Sequence, residues 1–424
     1  MRLYPVLCLL TLVLVATACG STEPGPAPSA TPAAVTTAAT VPNVIPTGIS
    51  AATATSPAPD KSTVTLNTLE GYLHGSGWAS DVSRAYFSKR VYAAFKLIRY
   101  NSADDTWTTY TAPSSDYCMA SDLCITGGKV YVVHQGPTAT SAYLSVFNTS
   151  DETPALVGIV HEYPGGGPSY GGGETIVTDG TYLYIGTTGG RIKLVALSDL
   201  TTVLSTLTLS TSGSVHSMEY NPSDGKVYAA LSSGAAIYQI SRSGTTLSES
   251  GKCVPTLPTG GTLSDDLAVD STDLWLPIER ILTGQIVRVP LTLFNDPPTG
   301  SQTLLTLGPP AYCFGCFNDS DGEHLWLVWG STPGQLTRLK KSDLSTERIW
   351  LESGENNTNE VVQYASNKYL VSTFGSPAKI IKLTNPFPDI ALEKPASDSN
   401  YSYWVPLRVY VETTPEDGLS SPRY

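Results

Sequence analysis

Past residue 20 the sequence has no apolar run long enough to cross a bilayer, so no internal transmembrane helix is expected. Long helical periodicity is also missing, which argues against a helical bundle and against alternating α/β units. Charge is sparse. Asp, Glu, Lys and Arg make up 15% of the 424 residues, and their balance of −12 disfavours nucleic acid and anionic lipid as partners. The five histidines show no His-x-x-x-His spacing, which removes the commonest zinc-hydrolase pattern. What the chain has instead is 37 glycines and 31 prolines, falling largely between short apolar runs.

Those runs repeat. A polar residue and an apolar residue are followed, eight or ten positions after the apolar one, by an aromatic within a short apolar stretch. The phrase occurs at Val82…Tyr92, Leu123…Tyr131, Ile176…Tyr184, Met218…Tyr228, Leu267…Trp275, Cys316…Trp326 and Val361…Tyr369. The aromatics lie roughly 40 to 50 residues apart, the period of propeller blades. Turn signals such as Asp179-Gly180, Asp224-Gly225 and Asp321-Gly322 separate the strands within a unit. The expectation is an all-β, seven-bladed β-propeller of four-stranded antiparallel blades spanning residues 61–394. Ring closure needs one strand borrowed from a chain end. Thr63–Leu69 is the favoured fourth strand of blade seven, with Leu407–Glu412 as its competitor, and residues 395–424 are read as a tail packed on the propeller.

The N-terminus gives an address. Met1-Arg2 and the apolar run Val6–Val15 precede Ala16-Thr17-Ala18-Cys19-Gly20. This is expected to be a signal peptide over residues 1–18, too short to span a bilayer in the mature protein. The stretch around Cys19 resembles the bacterial lipobox, with Ala16 standing where leucine is usual. The resemblance implies lipidation of Cys19 and anchoring at the extracytoplasmic face of the cell membrane. Ordinary secretory cleavage near Ala18 is the other reading. Residues 19–60, rich in Thr, Ala, Pro and Ser, cannot bury enough apolar surface to offset their ordering entropy and are read as a disordered tether.

The repeat units, clearest in Asn221-Pro222-Ser223-Asp224-Gly225-Lys226-Val227-Tyr228 and Asp270-Ser271-Thr272-Asp273-Leu274-Trp275, resemble those of the YVTN, NHL and quinoprotein-like propellers of exported bacterial proteins. Those families include binding scaffolds, lactonases, lyases and dehydrogenases, so the resemblance does not choose a function. In an oxidising compartment cysteines pair by default. Cys118–Cys124 is expected as a disulfide, and Cys313 is expected to pair with Cys316 or with Cys253.

The residue before each blade's apolar position gives Asp81, Asp122, Thr175, Ser217, Asp266, Gly315 and Glu360, with His216, Glu174 and Asp265 adjacent in sequence. First strands line a propeller's channel, so the carboxylates are expected at its mouth. There they would either recruit a hard cation, calcium being the best fit, or bond backbone N–H groups of their own turns. Loops on the same face carry Trp78, Tyr170, Tyr312, His134 and Arg280 as candidate binding residues. Gly167-Pro168-Ser169-Tyr170-Gly171 has the letters of a nucleophile elbow but no helix follows it. Asn318–Gly322 has the flavour of a calcium loop without the ligand spacing, and is read as a hairpin turn. Two function classes follow: a monomeric binding scaffold for a protein, peptide or glycan, or a metal-dependent lactonase or lyase, with a quinoprotein-type oxidoreductase less favoured. Whether the chain is an enzyme is left open at this level.

Overall fold

Apolar runs such as Leu274–Ile278 are buried at every residue, so their strands are covered on both faces. Outer strands such as Thr106–Thr111 alternate between half-buried and exposed residues instead. The computed structural model describes residues 60–65 and most of the span 72–384, with the pair 36–37 and residue 386; connecting stretches such as 91–93, 114–117, 136–140, 152–155, 165–172, 232–234, 308–310 and 374–378 are not described. A separate unit, Met1–Ala34, lies outside the described residues, as do Cys19, Tyr170, Arg280, Leu407–Glu412 and the tail 395–424.

Within Val35–Tyr424 the strands form seven antiparallel sheets. Blade three shows the plan. Gly173–Thr178, Tyr182–Thr187, Arg191–Ala196 and Asp199–Thr208 pair in sequence order, innermost strand first. The innermost strands of successive blades touch in cyclic order, and that of blade seven, Thr358–Ala365, meets that of blade one, Tyr72–Ala79. A single 3₁₀ turn, Leu291–Phe294 in blade five, is the only helix among the described residues.

The apolar core is divided the same way. Seven clusters occur, each built from two neighbouring blades. Side chains alternate between faces along a strand. In Lys226–Leu231, Val227 and Ala229 join the cluster shared with blade three, while Tyr228 and Ala230 join the one shared with blade five. No blade covers both of its own faces, so the blades stabilise one another.

The ring closes through the N-terminal side. Asp60–Thr65 pairs antiparallel with Lys379–Thr384 as the fourth strand of blade seven, Asp60 opposite Thr384 and Thr65 opposite Lys379. The strand begins three residues earlier than Thr63–Leu69 predicts. Thr36–Thr37 also makes a short parallel pairing with Thr303 and Leu304 on the outer strand of blade five.

Blade one differs from its expected register. Val82 sits in the turn after the first strand, Tyr92 lies outside the described residues, and the buried aromatic at the anchor position of the second strand is Tyr86, opposite Gly77. The expected disulfides are absent, since Cys124, Cys253, Cys313 and Cys316 are free thiols. Cys118 and Cys124 belong to one extended strand, opposite Gln135 and Tyr131. Four residues of that partner strand span about 13 Å, well beyond disulfide reach. Cys313 and Cys316 likewise share a strand, and their buried thiols donate to Gly315 O at 3.7 Å and Trp275 O at 3.0 Å.

Candidate functional site: the channel wall

The innermost strands carry a recurrent irregularity. Their pairing with the second strand is interrupted between His74 and Ser76, Cys118 and Asp122, Gly173 and Thr175, Val215 and Ser217, Cys313 and Gly315, and Thr358 and Val361. In blade five the first strand is split into Thr262–Leu263 and Ala268–Val269, with Asp266 between the pieces. A bulge re-aims the residue beside it. Here it turns a ring of Ser76, Asp122, Thr175, Ser217, Asp266 and Glu360 onto the wall of a cavity of about 700 Å³. Gly315 occupies the corresponding position in blade six, although it is not among the wall residues.

The carboxylates of this ring act between blades. Glu360 of blade seven, 2% exposed, accepts from Gly75 N at 3.1 Å and Ser76 Oγ at 2.9 Å in blade one. Asp122 of blade two accepts from Thr175 Oγ1 and Ile176 N in blade three, both at 2.9 Å, and from its neighbour Leu123 N at 2.7 Å. Asp266 of blade five lies against Gly315 of blade six, where an added Cβ would come within 2.9 Å of Asp266 Oδ2. Gly75 is constrained too. Its φ is +67°, and a Cβ there would meet the backbone of Asp122 and Leu123 at 2.7 Å. The bonds therefore reach the next blade, where the sequence left open either a bound cation or capping of each residue's own turn.

Other expected site residues separate from this ring. Asp81 is exposed in the turn after the first strand of blade one and is not on the wall. Ser76 takes its place, because the register of blade one is set by Tyr86. His216 sits half-buried at the bulge between Val215 and Ser217, outside the channel lining. Glu174 and Trp78 lie on first strands, with side chains outside the described residues. Tyr312 opens the first strand of blade six, half-buried, with its ring 6.3 Å from that of Phe314. His134 is not on the loop face. It is fully buried, bonded to Ser145 Oγ at 2.8 Å, and its ring lies 4.6 Å from Phe95.

Among the described residues no three of His, Cys, Asp and Glu gather closely enough to hold a metal ion, so the ring forms no three-ligand calcium site there. The Asn318–Gly322 turn is structural. Asp319 is buried and accepts from Trp326 Nε1 at 3.1 Å and Arg338 Nε at 3.0 Å.

One wall residue escaped the sequence reading. Glu219 lies two positions beyond Ser217 and therefore on the same face, while Met218 between them enters the core with blade three. Burial, reinforced by the negative charge of Asp122, pushes the Glu219 carboxyl up to about 8. The readable signal was a Glu flanked by apolar residues on a first strand. Burial also pushes the wall thiols of Cys124 and Cys316 well above their ordinary range, so neither is a thiolate at neutral pH.

Comparison with protein-family models and with curated proteins finds no match. The family likeness suggested by the repeat units thus rests on the seven four-stranded blades alone.

Proposed function

We propose that the chain is an exported, lipid-anchored binding propeller. In this reading Cys19 carries the lipid, the Thr/Ala/Pro/Ser-rich stretch that follows it holds the body away from the membrane, and the channel face receives a protein, peptide or glycan ligand. The observation that carries it is the engagement of Asp122 and Glu360 by donors of the neighbouring blade. Carboxylates held in this way frame a cavity of binding-site size, and they are poorly placed to gather around a metal or a nucleophile.

Two experiments test the proposal. Cys19→Ser should move the protein from the membrane fraction to the soluble exported fraction; unchanged membrane association would remove the lipid anchor. For the channel, the full chain is applied to peptide and glycan arrays, and the same preparation is assayed on a panel of lactones. Saturable binding without turnover is expected. Lactone turnover that falls in Glu219→Gln would favour the enzyme reading instead.

A further inference from the structure

The channel wall is chemically one-sided. It presents Asp122, Glu219, Asp266 and Glu360, while no Lys, Arg or His occurs among its described lining residues. Asp122 and Glu360 are committed to the adjacent blades, and Asp266 is packed against Gly315. Glu219 differs. Its carboxyl has no hydrogen-bond partner among the described residues, and the residue is half-buried on the cavity wall. An unpaired carboxyl in a crowded, acidic channel either keeps its proton or takes a cation. Around it the wall is mixed: Ser76, Thr175, Ser217 and Asn318 stand between apolar groups, while Leu123, Ile176 and Leu267 are buried in the cores between blades.

We propose that the channel receives a primary ammonium group on an aliphatic stem, as in a lysine side chain presented by a peptide or protein, with Glu219 as its counter-ion. The inference rests on the binding reading above and narrows its ligand. A compact ammonium suits one free carboxylate, whereas a guanidinium favours a bidentate fork and calcium needs six to eight oxygens. The apolar groups that do face the cavity, Phe317 and Pro222 among them, suit the stem. Asp122 from blade two, Asp266 from blade five and Glu360 from blade seven add negative potential, and the remaining titratable neighbours on the wall are the Cys124 and Cys316 thiols and Tyr220. Binding should displace the Glu219 proton into solvent, because the ammonium favours the charged carboxylate. Affinity therefore rises with pH until Glu219 is ionised in the free protein.

The test is calorimetric titration of the full chain with N-acetyl-lysine amide and with its uncharged isostere, N-acetyl-norleucine amide. The lysine compound should bind, with affinity rising about tenfold from pH 6 to 7, about fivefold from pH 7 to 8, and little beyond pH 9. The norleucine compound should not bind, and Glu219→Gln should lose at least about tenfold in affinity while melting no lower than the wild type. Equal binding of the two compounds, a pH-independent affinity, or undiminished binding by Glu219→Gln would overturn the proposal. If the lysine compound fails while an array ligand still binds, the ammonium inference falls and the binding propeller stands. If neither binds, both fall.

Discussion

A buried tyrosine or tryptophan brings a polar tip into the core, and the repeat phrase is largely the means of satisfying it. Tyr184 Oη donates to Asp179 at 3.0 Å, Tyr228 Oη to Asp224 at 2.7 Å, and Trp275 Nε1 to Asp270 at 3.0 Å. The same aspartates accept backbone N–H groups of their own turns, as at Thr181, Lys226 and Thr272. Asp319 adds Tyr369 of the next blade to its donors. Asp319→Ala would take an acceptor from Trp326 and Tyr369 and one of two carboxylates from Arg338, which keeps Asp321, and should lower unfolding stability by roughly 2–4 kcal/mol in urea titration. Asp199→Ala, at the exposed start of the outer strand of blade three and bonded to Thr201 N, should cost less than about 1 kcal/mol. Glu219 sets a pH dependence of the opposite kind to a salt-bridged acid. Near pH 4 both folded and unfolded chains hold its proton and nothing is lost. As pH rises past the ordinary glutamate range the unfolded chain releases the proton first, so folding loses stability until about pH 8 and then levels off. Glu219→Gln should therefore raise the melting temperature at pH 8–9 and leave it nearly unchanged at pH 4. A lower melting temperature for the variant at pH 9 would contradict this.

At the scale of the element, most blades were legible because a two-residue turn and an aromatic anchor fix a strand pair. Blade one was not. Its ring segment Gly75-Ser76-Gly77 offers no apolar side chain for a periodic reading, so Val82 in the following turn took the place of the anchor's partner. That shift alone brought Asp81 into the expected ring. Asp122, Asp266 and Glu360 were found by register; what no repeat could reveal is that each carboxylate looks across to the next blade, since the bulges that aim them lie in the pairing. The cysteines failed for a related reason. Two residues close in sequence are far apart once the strand between them is extended. The closing strand was legible from its alternation, and its weight is measurable. Truncation ending at residue 59 should leave the melting temperature within a degree or two of the full chain, while truncation through Thr65 bares the edge of Lys379–Thr384 and should lower it by several degrees. Equal melting of the two truncations would mean that Asp60–Thr65 contributes nothing to closure.

For the whole molecule, stability and site are the same construction. Seven two-blade cores hold the ring, and at its centre the channel carboxylates fasten blade seven to one and blade two to three. A channel wall framed this way needs no ion to keep its shape. Direct evidence comes from calorimetric melting of the full chain in millimolar calcium and in chelator. If the carboxylates are fastened to neighbouring blades, the two melting temperatures agree and Glu360→Gln lowers both equally. A calcium-dependent rise that disappears in Asp266→Asn or Glu360→Gln would show instead that the ring gathers around a cation.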